Sequence, residues 1–336
     1  MTHFPKGPNQ GRALVGPVIL AAGLLLTAGL AYERFLRGQP ALQDFLALQE
    51  RGPLPAIRPP FYRPLAGLPL RSAAGLWLSL NVAAGLGFGL WAGRRTREPT
   101  LALLLAVFVP SIVALSVGQD SLLLVAALAG VFVLLESRRT WTAGLLLSLL
   151  WVKFQFLPAF ILLLAIRREW RALGGLALGT AAFLAPVAPQ LPGYIAYLAK
   201  MAAHPSVVPC RRCMPNLHAL IPHPLLSLAA SAALLAVSAP SFRGSLPSPF
   251  ALASVCALLA SHHAQVYDCV LLFLAAVVRM GGDPAPRMAW AWALGISPLP
   301  YLLPYLWAPA QMLPAFTAIA AWVAAMRPAL LQERDR

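Results

Sequence analysis

Apolar runs of membrane-spanning length recur along the whole chain, and they constrain its fold more than any other feature. The first, ALVGPVILAAGLLLTAGLA at residues 14–32, is long enough to cross a bilayer, which takes about 20 mostly apolar residues. Only 11% of the residues are charged and 59% are apolar, which excludes an ordinary soluble domain. The sequence therefore predicts an all-α, polytopic integral membrane protein.

The net charge of +15 does not indicate a nucleic-acid-binding protein. The cations stand in twos and threes between apolar runs, as in RRTRE (94–98), ESRR (136–139) and RREWR (167–171). This distribution is typical of topology signals, because short cytoplasmic loops are enriched in Lys and Arg. We expect membrane lipids as partners and no nucleic acid.

Placing these clusters in the cytoplasm predicts about twelve transmembrane or membrane-embedded helices with both termini inside. Residues 33–71 then form the first extracytoplasmic loop and residues 189–223 a late one, within a single domain of residues 1–336. Residues 141–166 are too few for two full crossings. We interpret them as a pair of short or broken helices that turns near KFQFLP (153–158). A single tilted span is the alternative, and it would reverse every later segment.

Two glycine motifs predict local structure. Gly118 in VGQDS (117–121) permits a turn at a hairpin tip. GLALG (175–179) has the small-residue spacing of a helix–helix contact.

On this path, the polar residues that interrupt the apolar runs share the extracytoplasmic side. They are Asp44, Gln119 with Asp120, Lys153, and the SHHAQVYD stretch at 261–268. Ionisable residues at membrane depth cost free energy and usually have a function. We therefore expect these distant segments to meet in one site at the outer leaflet.

Several of these side chains suit a transfer reaction that releases a phosphate. Asp44, at the border of a short amphipathic helix over 41–50, could act as a general base, or could be an ordinary loop acid. Lys153 could reach outward to the interface or pair with a buried anion such as a phosphate. His262 and His263 could donate hydrogen bonds to a phosphate, or could bond each other within the core.

Two further features of the outer loops have open interpretations. Six arginines of the first loop could bind anionic lipid headgroups or phosphates, or could reach the interface with apolar stems buried: Arg34, Arg37, Arg51, Arg58, Arg63 and Arg71. Cys210 and Cys213 could form a disulfide in an oxidising outer compartment. A zinc site there would need two more ligands, and we expect no metal.

Six motifs of this chain resemble, in their order, glycosyltransferase family 87. They are QDF (43–45), YRPL (62–65), VGQDS (117–121), the lysine of WVKFQFLP (151–158), MPN (214–216) and SHHAQVYD. This is a GT-C family of bacterial α-mannosyltransferases that use a polyprenol-phosphate-mannose donor. The resemblance covers roughly residues 14–326, but the CRRC pair and the first-loop arginines are not family features.

The resemblance implies a GT-C-like enzyme of the bacterial inner membrane. It would move a sugar, mannose in the family, from a polyprenyl-phosphate donor to a lipid-linked or cell-envelope acceptor on the extracytoplasmic side, without a cofactor. Asp44 matches the position of the family's base, and the anomeric centre should invert because the base lies opposite the leaving group. The histidine that contacts the donor phosphate corresponds to His262 or His263.

Residue chemistry adds further candidates to this site. Lys153 and Arg63 could bind the donor phosphate, and Gln119, Asn216 and Asp268 could bind substrate. The alternative function is a membrane transporter or flippase for a lipid-linked sugar. Such proteins usually have paired repeats and binding residues at the midplane, whereas this chain has no convincing repeat and its polar residues cluster on one side.

Overall fold

The computed structural model describes residues 10–50, 64–190, 192, 211–282 and 289–332, and every regular element within these ranges is helical. The α-helices are α1 Gln10–Leu36, α2 Gln43–Glu50, α3 Leu70–Thr96, α4 Thr100–Val107, α5 Val109–Val117, α6 Ser121–Glu136, α7 Thr140–Leu147, α8 Leu157–Ile166, α9 Trp170–Leu184, α10 Leu217–Leu220, α11 Pro224–Ser238, α12 Pro247–Ala260, α13 Val270–Gly282, α14 Ala289–Ile296, α15 Leu299–Leu306 and α16 Leu313–Gln332. The predictions for Arg51, Arg58, Arg63 and Cys210 concern residues outside the described ranges.

Five described helical stretches are long and apolar enough to cross a membrane. They are Val15–Leu36, Leu70–Thr96, Thr140–Ile166, Pro224–Arg243 and Ala308–Met326, and α4 with α5, bent by 49°, adds a sixth if the pair is one span. Large apolar side chains on the outside of the bundle, such as Leu26 (65% exposed) and Leu225 (70% exposed), are suited to lipid contact. The protein is thus a helical membrane protein, while the count of about twelve segments and the cytoplasmic termini stay predictions.

Helices α7 and α9 lie side by side and run in the same direction. Gly175 lies directly against Trp141, and one turn later Gly179 lies against Ser148. Small residues allow this close approach of two helices, so the predicted role of GLALG (175–179) as a helix contact is confirmed. Since α8 connects two parallel neighbours, it runs in the opposite direction.

The chain reverses at Lys153, between α7 and α8, where φ of −129° and ψ of 62° depart from helical values. By length alone, Thr140–Ile166 could be one straight span of 27 residues, which would separate its ends by about 40 Å. However, Gly144 in α7 lies directly against Ala172, just after α8, so the chain returns to the start of the stretch. Burial lowers the pKa of Arg167 at this end; Glu169 raises it and Arg138 lowers it. The contacts therefore support the broken pair over the single tilted span.

Interhelical contacts define an end of the bundle that we call the arginine end. There, Arg95 donates two hydrogen bonds to the Glu136 carboxylate, of 2.7 and 2.9 Å. Gly281 lies against the Arg95 side chain, and Arg167 donates to the Gly244 carbonyl at 2.5 Å. These residues belong to the connections in which the sequence placed its cytoplasmic cations.

Helices α12 and α13 occupy the centre of the bundle and position the connection between them. Residues 249–259 of α12 and 270–279 of α13 are all buried. Aromatic rings pack around α13, with Phe273 centroids 5.9 Å from Phe88 and 5.4 Å from Phe108. Because both helices are fixed by this packing, the SHHAQVYD connection is held at the opposite end of the bundle from the arginines, which we call the polar end.

Candidate active site

Asp44 lies in the first turn of the short helix α2, which the 41–50 pattern predicted. Leu42 and Phe45 are fully buried, and the Phe45 ring stacks on Trp77 with centroids 6.1 Å apart. The Leu42 N–H donates to the Ser116 carbonyl at 2.9 Å, which joins α2 to the end of α5. The apolar side of α2 thus packs into the core, and Asp44 is left half-buried.

The turn between α5 and α6 directs Gln119 toward Asp44. Gly118 has the left-handed φ of 77°, as the predicted turn requires, and its carbonyl accepts from Trp77 Nε1 at 2.8 Å. A Cβ at this position would lie only 2.7 Å from the Cβ of Phe45. Gln119 Nε2 donates to Asp44 Oδ2 at 2.7 Å. Gln119, which the sequence predicted to bind substrate, therefore orients Asp44, the candidate base.

Lys153 lies in a buried cluster with two carboxylates. Its Nζ forms a short ion pair with Asp268 Oδ1, lies 3.3 Å from Asp120 Oδ1, and donates to Ser121 Oγ at 3.0 Å. All four residues are buried. The buried anion predicted for Lys153 is thus present in the protein itself, and these contacts do not support the prediction that Lys153 binds the donor phosphate.

Asp268 uses both of its carboxylate oxygens within the protein. Oδ1 accepts from Lys153 and, at 3.1 Å, from Ser121 Oγ, while Oδ2 accepts from the Gln265 N–H at 2.9 Å. The last bond belongs to a capping box at the start of the 3-10 turn Val266–Cys269. Asp268 thus fixes the shape of the SHHAQVYD connection, and a role in substrate binding stays a prediction.

The Lys153 ammonium group is shared by two buried carboxylates in this cluster, and Asp120 has weaker contacts than Asp268. Burial raises the pKa of Asp120, Lys153 opposes that increase, and Asp268 adds to it. Asp120 Oδ1 has no hydrogen-bond partner among the described residues. The cluster therefore has no surplus positive charge.

The two histidines of SHHAQVYD have different surroundings. His262 is exposed, and its ring centroid lies 6.1 Å from that of Phe154. Burial lowers the pKa of half-buried His263; Asp268 raises it, Lys153 lowers it and Asp44 raises it. His263 is thus the more buried of the two, and Gln155 Nε2 donates to its backbone carbonyl at 3.1 Å. We take His263 as the candidate, a choice that the sequence left open.

Asn216 takes part in a separate structural contact. Its Oδ1 accepts from the Ala219 N–H at 3.0 Å as the N-cap of α10, and its Nδ2 lies 3.8 Å from the sulfur of Met214. Asn216 is fully buried, so its predicted role in substrate binding gains no support from these contacts. In the same region Cys213 is disulfide-bonded.

A comparison with protein families identifies the class of this protein. The model of glycosyltransferase family 87 matches residues 59–297, more than two thirds of the chain, including Gln119, Lys153, His263 and Asp268. The chain belongs to glycosyltransferase family 87. It is therefore a glycosyltransferase with membrane helices. Asp44 precedes the matched range, so its assignment rests on the resemblance of QDF and on the bond from Gln119.

Neither the curated proteins nor the solved structures compared with this chain gave a match.

Proposed function

We propose that this glycosyltransferase moves a hexose, mannose by family resemblance, from a polyprenyl-phosphate donor to a lipid-linked or cell-envelope acceptor. The reaction takes place at the extracytoplasmic face of a bacterial inner membrane. The observation that carries the proposal is the convergence of Asp44 and the SHHAQVYD turn, from segments more than 200 residues apart, at the polar end of the bundle. Gln119 donates to Asp44, and Ser121, two residues further along, donates to Asp268 of that turn. This end lies opposite Arg95 and Arg167, as the positive-inside rule requires of an outer site.

In the proposed reaction, Asp44 removes the proton from an acceptor hydroxyl. The hydroxyl oxygen attacks the anomeric carbon as the bond from that carbon to the phosphate oxygen breaks, and polyprenyl phosphate leaves with the electron pair. Attack from the face opposite the phosphate inverts the anomeric centre. Gln119 binds Asp44 Oδ2, and within the described residues Oδ1 is left for the acceptor.

In this proposal, His263 assists the leaving group. A ring N–H donates a hydrogen bond to the phosphate, where negative charge develops in the transition state. Arg63, in the first outer loop, is a further candidate for this charge. The donor must be membrane-borne, because activated nucleotide sugars are not present outside the cytoplasm, and a phosphate leaving group needs no metal if donors and cations suffice.

Replacement of the candidate base tests the proposal. We expect Asp44→Asn to reduce transfer by about 10²- to 10⁴-fold, the usual contribution of a positioned general base, while the protein stays folded. The assay follows a labelled sugar from polyprenyl-phosphate mannose to acceptor lipid, with purified protein in liposomes. Glu33→Gln is the matched control, because Glu33 is an exposed carboxylate in α1 that pairs with Arg37.

Wild-type turnover by Asp44→Asn would remove Asp44 from the mechanism. The same liposomes separate the enzyme from a flippase. Movement of the donor lipid between leaflets, without transfer of its sugar to any acceptor, would contradict the proposed reaction.

A further inference from the structure

The helix break between α7 and α8 presents two polar side chains to the turn that carries His263. Gln155 Nε2 donates to the backbone carbonyl of His263 at 3.1 Å. Lys153 binds Asp268, five residues further along the same turn, and its Nζ lies 4.7 Å from the centroid of the Tyr267 ring. Residues 153 and 155 therefore hold both ends of the turn.

Lys153 also connects this turn to the part of the site that carries Asp44. It donates to Ser121 Oγ at 3.0 Å, and Ser121 follows Gln119 by two residues at the start of α6. Gln119 in turn binds Asp44. A continuous series of contacts thus runs from the Asp44 carboxylate, through the tip of α6 and Lys153, to the turn of His263.

The charge balance of the cluster argues against a direct role of Lys153 in binding the donor. Its ammonium group is buried between Asp268 and Asp120. If it moved to a phosphate, two buried carboxylates would lose their only cation among the described residues, which is strongly unfavourable. Its contacts instead suit a residue that fixes the relative position of other groups.

We infer that Lys153 and Gln155 are positioning residues, which hold His263 at a fixed place relative to Asp44, and that Lys153 does not itself bind the donor phosphate. The inference rests on the proposed function, in which His263 contacts the leaving phosphate. It assigns a role to Gln155, which sequence reasoning missed, and it replaces the phosphate-binding role predicted for Lys153.

The test compares Lys153→Met, Asp268→Asn, the double variant Lys153→Met/Asp268→Asn, and Gln155→Met. Each purified protein is assayed for kcat, for the KM of polyprenyl-phosphate mannose, and for its unfolding temperature. The double variant leaves one buried carboxylate, Asp120, without a cation, whereas Lys153→Met leaves two, so it remains informative if Lys153→Met alone does not fold. Arg95→Met is the matched control, because it removes the ion pair with Glu136 at the arginine end.

If the two residues position His263, Gln155→Met lowers kcat by about tenfold or more with little change in the donor KM, since a displaced catalytic group slows the chemical step. Lys153→Met and Asp268→Asn also lower kcat, and the double variant is no worse than the poorer single variant, because one contact is lost in all three. Arg95→Met lowers the unfolding temperature and leaves kcat and KM unchanged.

Two results would overturn the inference. The first is a donor KM raised tenfold or more with kcat retained in the double variant, which would make Lys153 a phosphate ligand. The second is wild-type kcat in Gln155→Met. Absence of transfer by the wild-type protein would instead refute the proposed function. In that case the unfolding temperatures still test the contact between Lys153 and Asp268. If the decrease in the double variant equals the sum of the decreases in Lys153→Met and Asp268→Asn, the two residues are not coupled.

Discussion

Gly118 shows, at the scale of the residue, how one backbone conformation sets the position of the candidate base. Its φ of 77° and the 2.7 Å between a Cβ at this position and the Cβ of Phe45 both exclude a larger residue without adjustment. We expect Gly118→Ala to destabilise the protein by about 1–3 kcal/mol, as strained backbone and crowding do. It should also lower transfer, since displacement of Phe45 moves Asp44.

Thermal unfolding and the transfer assay measure both effects of Gly118→Ala. The control is Gly87→Ala, at an exposed helical glycine that has no atom within 4 Å of a built Cβ, where alanine should stabilise by about 0.5–1 kcal/mol. An unfolding temperature of Gly118→Ala at or above that of the wild type would contradict the account of this turn.

The histidines predict a dependence of stability on pH. Partial desolvation of the exposed His262 ring and the neighbouring His263 lower the pKa of His262 below the usual 6.5. Burial lowers the pKa of His263; Asp268 and Asp44 oppose this effect, and Lys153 adds to it. The folded protein therefore binds fewer protons than the unfolded chain below about pH 6.5. Stability attributable to these groups is lost as the pH falls from 6.5 through the lowered pKa.

The unfolding temperature at pH 7.5 and at pH 5.5 measures this loss. Because glutamine does not titrate, His263→Gln should lose less stability on acidification than the wild type. Equal losses in the two proteins would show that His263 is not held in its neutral form by the fold.

Among the elements, local patterns predicted the α2 helix, the turn at Gly118 and the helix contact of Gly175 and Gly179. They could not identify Asp268 as the partner of Lys153, because residues 115 positions apart meet only through tertiary packing. Local patterns also could not rank His262 and His263 by burial, because two adjacent residues of one turn differ only through tertiary packing. Gln155 could have been found from the sequence, because it is a polar residue two positions from Lys153 in an otherwise apolar segment.

The reversal at Lys153 makes a prediction about sidedness at the same scale. Arg139 and Arg171 are exposed residues on either side of the α7–α8 pair. If the pair turns back, Arg139→Cys and Arg171→Cys should react with a membrane-impermeant thiol reagent from the same face. Labelling from opposite faces would restore the single tilted span and reverse the orientation of all later helices.

At the scale of the whole molecule, the described residues form two groups of charged and polar side chains at opposite ends of the bundle, and we propose that the reaction takes place at the polar end. Arg95, Glu136 and Arg167 meet at one end, whereas Asp44, Gln119, Lys153, His263 and Asp268 meet at the other. The match to glycosyltransferase family 87 supplies the class of reaction. The convergence of distant polar segments at the polar end is what makes one outer-leaflet site possible.

Thiol labelling in intact cells tests this convergence most directly. Gln43 and His262 are exposed at the polar end, and Arg139 lies at the connection from α6 to α7 near the arginine end. We predict that Gln43→Cys and His262→Cys react with an impermeant maleimide from outside, above the background of the parent chain, and that Arg139→Cys reacts only after permeabilisation. Labelling of positions 43 and 262 from opposite faces of the membrane would contradict a single outer site.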